Sequence, residues 1–304
     1  MKVTSELSQY ISFTGTTDII ITHGDETVVT KTTPKLIKIM SITKAITSLA
    51  IGFLLHERKL KSVKTKICHI FPDTMWQTSP RNKITVEHLL THTSGLPGIA
   101  DWAAGGMQLF IKAKNIYQYC ANRELVNKPG AKWDYSNIGA QLVACIVHKL
   151  SGQQLDKYLA TRLFKPLNIK KYRWEYVGGY ADAMSGLNLC VTDLHKIGCC
   201  IRDKGLYNGH QIVPKKWIVM MSRPRIKLGN TSYQGYFWFV NTKLGYIYHD
   251  GSNGQYLLIA PKRRIVFARL YVLQRQDYKN YQKNYHIFAG DKYYEILDKL
   301  ITAK

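Results

Sequence analysis

Hydrophobic positions along the chain fall into two regimes. Between residues 41 and 202 they recur with helical spacing. Ser41–His56 is apolar on nearly every face, the signature of a helix surrounded by protein on all sides. Ile138–Leu150 (IGAQLVACIVHKL) predicts a second helix, stopped by Ser151-Gly152. Leu155–Phe164 and Thr192–Arg202 predict two more, the last opened by a Thr192 cap with Asp193 in its first turn. Toward the two ends the pattern becomes β-like. Asp18–Thr32 (DIIITHGDETVVTKT) reads as two strands around a turn at His23–Glu26. Tyr236–Val240, Tyr246–Tyr248, Tyr256–Ala260 and Ile265–Leu270 are short aromatic and β-branched runs, with Pro261–Arg264 as the turn between the last two. Asp291–Thr302 closes the chain as an amphipathic helix.

The order strand pair, helices, strand meander, helix predicts an α+β fold. The terminal strands pair in one antiparallel sheet, and the helical middle is inserted as a second lobe. The expected division is 1–38 with 215–304 for the sheet lobe and 39–214 for the helical lobe. No Pro/Gly-rich linker separates them, so a cleft between the lobes is the natural place for a site.

The composition, 45% hydrophobic and 21% charged over 304 residues, excludes disordered and fibrous classes. Lys and Arg number 43 against 20 Asp and Glu, a net charge of +23. That surplus suits contact with polyanions, or solubility alone. Arg269–His286 interleaves tyrosines with cations, as a single-strand nucleic-acid surface would, but with no nucleic-acid module motif it reads better as a solvated loop. The first residues carry no apolar signal core, and the longest apolar run, Ala45–Leu55, is too short to span a bilayer. Six cysteines without a CxxC fit free thiols in a reducing, cytosolic compartment. The neighbours Cys199 and Cys200 lack the surroundings of a low-pKa thiol. His88 and His92 have i, i+4 spacing but no evident third ligand, so no metal is expected. No phosphate-binding glycine loop occurs, so neither ATP nor NAD is expected, and no other cofactor is implied.

Three short motifs carry candidate chemistry. Ser41-Ile42-Thr43-Lys44 opens the buried helix and places Ser41 and Lys44 one turn apart on the same face. A serine needs a base beside it, and a lysine removed from water loses its proton more easily. The bland alternative is a helix cap and a solvated lysine. Tyr135-Ser136-Asn137 follows a Pro129-Gly130 turn and runs into the helix at Ile138, which predicts Tyr135 and Asn137 on a loop at a helix mouth. Alternatively Tyr135 packs and Asn137 caps. His249-Asp250-Gly251-Ser252 ends a strand, and its glycine permits close backbone approach. Otherwise it is a turn with a surface histidine.

In this order, Ser-x-x-Lys, Tyr-x-Asn and His-x-Gly make the chain resemble the serine β-lactamase and penicillin-binding protein family, most closely its class C and esterase-type branch. Ile84–Pro97 (ITVEHLLTHTSGLP), Pro129–Asn137, Leu163–Leu167, Met184–Val213 and Asp250–Tyr256 are similar to that family's text, and the likeness covers roughly residues 15–270. The resemblance implies a β-lactamase/transpeptidase-like fold and an acyl-enzyme cycle on an amide, ester or β-lactam carbonyl. Ser41 would be the nucleophile. Lys44 and Tyr135 would move its proton, and Asn137 would hold the substrate. The backbone N–H groups of Ser41 and Ser252 would form an oxyanion hole. His249 stands where many members have a lysine, which replaces a fixed positive charge by one that titrates. His-x-Gly members are often esterases or peptidases. Arg58–Lys66 carries five cations where relatives are usually acidic. An intracellular enzyme acting on a small-molecule or peptide acyl substrate, away from membranes, is the expectation. A catalytically silent relative that binds, nucleic acid included, is the other reading left open.

Overall fold

The computed structural model describes residue 9 and residues 16–272. The helix expected over Asp291–Thr302 and most of the Arg269–His286 stretch lie outside the described residues.

Eight antiparallel strands form the main sheet: β1 (Asp18–His23), β2 (Glu26–Lys31), β3 (Ile226–Lys227), β4 (Ser232–Gln234), β5 (Phe239–Asn241), β6 (Tyr246–Gly251), β7 (Gln255–Ala260) and β8 (Ile265–Leu270). Their order across the sheet is β3-β4-β5-β6-β7-β8-β1-β2, so the N-terminal hairpin closes onto the C-terminal meander through β8, with Asp18 opposite Leu270 and His23 opposite Ile265. Alternation sorts the side chains. Ile20, Leu257, Ile259 and Val266 join the large core with the helices, while Ile19, Ile21, Tyr256, Leu258 and Phe267 form a second apolar cluster.

Three helices organise the rest: α1 (Ile42–His56), α2 (Asn137–Ser151) and α3 (Val191–Arg202). Thirteen residues of α1, Ile42 through Leu54, are buried, as its all-round apolar pattern requires. It packs on α2 and on β6 and β7. Gly52 is needed there, because a Cβ would lie 2.3 Å from Cγ of Trp217. α3 lies across β1, β7 and β8, with Gly198 so close that a Cβ would sit 2.6 Å from a methyl of Val266.

Several elements differ from the sequence pattern for local reasons. Tyr236–Trp238 is not strand. Phe237 has φ +55, and the N–H groups of Tyr236 and Phe237 donate to Met221 O and Leu90 O, so they are spent on other segments. The Thr192 cap is also not observed. The cap position is Cys190, and its Sγ lies 2.9 Å from Thr192 Oγ1. α2 ends as its sequence indicates, on Gly152 in the left-handed conformation at φ +72. Among the described residues no helix is long and apolar enough to cross a membrane.

Candidate functional site

The short strand Ile37–Lys38 pairs with Leu187–Leu189, and Ile39 N–H donates to Leu187 O at 2.9 Å. The chain then turns sharply through Met40, which sits at φ +53, a conformation that costs a non-glycine residue about 1–2 kcal/mol. This turn delivers Ser41 to the mouth of α1. Ser41 occupies the cap position but makes no capping bond with its side chain. Its Oγ instead lies 3.2 Å from Nζ of Lys44, which also donates to Met184 O at 2.9 Å. Lys44 has no solvent exposure. The Tyr135 ring centre is 4.8 Å from its Nζ, the distance of a cation–π contact. The first two motifs, remote in sequence, meet at this amine.

Burial pulls the Lys44 ammonium from its ordinary 10.5 to about 7; Asp182 and Asp250 oppose the shift by favouring the charged form. At neutral pH the amine is therefore divided between two protonation states. Asp250 is itself pushed up by burial. His249, 1% exposed, is held down at about 3 by burial and then by Lys44. Its Nδ1 lies 2.6 Å from the Asp250 carbonyl oxygen, which can only accept, so Nδ1 carries the hydrogen. The titrating charge expected at this position from the sequence is thus a neutral imidazole in the physiological range.

The Tyr135–Asn137 segment is clamped by the His92–Pro97 stretch. Asp134 N–H donates to His92 O at 2.8 Å, Ser136 N–H to His92 Nδ1 at 3.1 Å, and Ser136 Oγ to Pro97 O at 2.7 Å. Ser136 also accepts from Gly139 N–H at 3.1 Å and caps α2. Asn137 is therefore neither on a loop nor a cap: it is the first helical residue, and its side chain makes no hydrogen bond among the described residues. The His92 ring packs, tilted, against Tyr135 and Phe237, with centroids at 4.5 and 5.0 Å. Burial, then Lys44 and His249, keep it well below its ordinary pKa.

The third motif arrives along β6. A Cβ on Gly251 would lie 2.7 Å from Ile39 O, 2.8 Å from Met40 Cβ and 3.1 Å from Ser41 N. Only glycine lets the strand end against the turn that carries Ser41. Ser252 follows and is exposed. The Ser41 N–H has no acceptor among the described residues.

Ser41, Lys44, Tyr135 and Gly251 are thus joined by direct contacts; His249 is joined through its effect on Lys44. Neither Asn137 nor Ser252 hydrogen-bonds Ser41 among the described residues. Sequence reasoning missed Asp182 and Met184. Asp182 binds Met184 N–H at 2.7 Å and Ser185 Oγ at 3.1 Å, an Asx-type turn that the run Asp182-Ala183-Met184-Ser185 hints at. Nothing in sequence spacing ties that turn to Lys44. No group of three His, Cys, Asp or Glu able to hold a metal occurs among the described residues. His88 Nδ1 accepts from Thr85 N–H at 3.3 Å in a capping box, so it does not converge with His92.

Comparisons with known proteins bear on the family and the fold. The family model described as Beta-lactamase matches residues 17–284. The chain is 28% identical over 152 residues to penicillin-binding protein 4* of Bacillus subtilis, covering 46% of this chain and 31% of that protein. It is 25% identical over 261 residues to protein flp of Staphylococcus aureus strain MRSA252, covering 77% and 52%. The chain thus spans about half or less of the length of these relatives. Among solved structures, a penicillin-binding protein homologue from Pyrococcus abyssi superposes with a TM-score of 0.70 at 23% identity, over 87% of this chain and 71% of that one.

Proposed function

The chain belongs to the beta-lactamase family, and on that premise we propose that it is a serine hydrolase that works through an acyl-enzyme on Ser41. The observation that carries this reading is the fully buried amine of Lys44, brought to about pKa 7, at 3.2 Å from Ser41 Oγ. In its neutral form the amine accepts the hydroxyl proton as Oγ attacks a carbonyl carbon. The proton then passes to the leaving group, with Tyr135 beside the amine as the relay. Negative charge on the carbonyl oxygen is met by the N–H groups of Ser41 and Ser252, each such donor being worth about 3 kcal/mol. The positive end of α1 acts in the same sense. Asn137, with its amide uncommitted, orients the substrate. Water then releases the acyl group by the reverse proton path.

The neutral His249 bears on the substrate. A lysine there would offer a fixed cation to a substrate carboxylate; a buried imidazole near pKa 3 does not. Esters and amides without an obligatory carboxylate are therefore favoured over penicillins. The test is a panel of nitrophenyl esters, D-amino-acid amides and β-lactams, run on the parent and on Ser41→Ala, with a fluorophosphonate probe followed by peptide mass spectrometry. Ester turnover and an adduct on the Ser41 peptide, both lost in Ser41→Ala, are expected. A folded parent that gives no adduct and no turnover removes the reading and leaves a binding protein.

A further inference from the structure

At the far end of α1, about 20 Å from Ser41 at 1.5 Å per residue, lies a cavity that the acylation chemistry does not use. Its volume is about 370 Å³. Leu55, Val63, Trp217 and Met220 give it an apolar base, and Arg58, Lys61 and Lys216 stand on its rim, exposed. Among the described residues no carboxylate lines it. Among the described residues none of these three cations forms an ion pair. Elsewhere Arg162 and Arg202 are neutralised by Glu57 and Asp203.

The base of the cavity supplies a second observation. Trp217 is 2% exposed and fixed on both sides, by the bare backbone of Gly52 and by Tyr236, stacked at 5.5 Å. Its Nε1–H is buried and has no hydrogen-bond partner among the described residues. A buried unpaired donor normally costs about 1–3 kcal/mol. Unpaired cations over an apolar base are complementary to one chemical class.

We propose that this cavity binds a small amphipathic anion, a carboxylate or phosphate head on a short apolar body, with the head among Arg58, Lys61 and Lys216 and the body against Trp217 and Met220. The size lies in the range of small-molecule sites. The concave apolar base argues against an extended nucleic-acid backbone, which needs a groove with aromatic platforms.

The full chain is titrated by calorimetry with octyl phosphate, decanoate, inorganic phosphate, octyl glucoside and a single-stranded oligonucleotide, at low and high salt. Octyl phosphate or decanoate is expected to bind with one-to-one stoichiometry and to weaken in high salt. In Lys61→Gln/Lys216→Gln that affinity falls by about tenfold, while Ser41 labelling by the fluorophosphonate is unchanged. Comparison of decanoate with octyl phosphate identifies the head group. The proposal is overturned if neither amphiphile binds, if inorganic phosphate or octyl glucoside binds as tightly, if the lysine pair has no effect, or if the oligonucleotide binds more tightly and displaces the amphiphile. Because Ser41 labelling is followed separately, failure of this site and failure of the hydrolase reading are distinguishable.

Discussion

Two regions of the molecule each place a nucleophile-type atom beside a nitrogen base. In the crevice, Ser41 Oγ and Lys44 Nζ are 3.2 Å apart. On α3, at a cavity of about 970 Å³, Cys199 Sγ lies 3.6 Å from His195 Nδ1. Burial dominates both, with opposite consequences. It turns a lysine, ordinarily a cation, into an available base near pKa 7. It pushes the Cys199 thiol up, away from the thiolate, and pulls His195 down to about 4, away from the imidazolium that would stabilise one. The pair on α3 is therefore the inert one. Desolvation always favours the neutral form, and the neutral form is the reactive one for an amine base but the unreactive one for a thiol.

This contrast can be broken experimentally, and the largest expected effect is at Lys44. Lys44→Met keeps the volume but removes the base, and fluorophosphonate labelling of Ser41 should slow by about 10²–10⁴; a rate within a few-fold of the parent would place the base elsewhere. Next is Gly251→Ala, whose new methyl must displace Ile39 O or the Ser41 turn. Since displacing reacting groups by about 1 Å costs on the order of 10²-fold, acylation should fall by that order. The check is burst kinetics on an ester, with circular dichroism to confirm the fold.

A smaller effect concerns pH. The acylation rate should rise through about pH 7 as Lys44 loses its proton, then level off. Asp182 holds that proton on, so Asp182→Asn, which keeps a hydrogen-bonding side chain, should move the acid limb of kcat/KM to lower pH. An unmoved limb would mean that another group titrates. Acid stability sharpens the comparison, because both regions contain a neutral buried histidine. The folded pKa of His249 is about 3 and of His195 about 4, against 6.5 when unfolded. Between those values the unfolded chain binds more protons, so the stability each contributes is present above pH 6.5 and lost as pH falls. Thermal melts from pH 7 to 4 should show a shallower loss for His195→Asn than for the parent. The smallest effect is expected at the thiol. Cys199→Ser should leave acylation unchanged, and iodoacetamide should modify Cys199 slowly at neutral pH by mass spectrometry.

Much of the arrangement was legible in the chain itself. The all-round apolar face of Ser41–His56, the Gly152 stop and the continuous aromatic and β-branched runs of β7 and β8 are local signals, and the corresponding elements form because local packing obeys them. The strand misread at Tyr236–Trp238 failed for the converse reason. Its residues have β composition, but their N–H groups are claimed by Leu90 and Met221, which no local window includes.

The candidate site divides in the same way. Sequence alone determined which residue types are available and in what order: a serine and a lysine one helical turn apart, a tyrosine two residues before an asparagine, a histidine two before a glycine. Tertiary structure alone decided their chemical state. The Lys44 amine is shifted because α1 is enclosed on all sides, is held by Met184 O 140 residues away, and is partly recharged by Asp182 and Asp250. His249 is neutral because β6 carries it inward toward that amine. Proton affinity depends on solvent exclusion and on charges gathered from distant segments, and neither quantity is written in the spacing of residues along a chain.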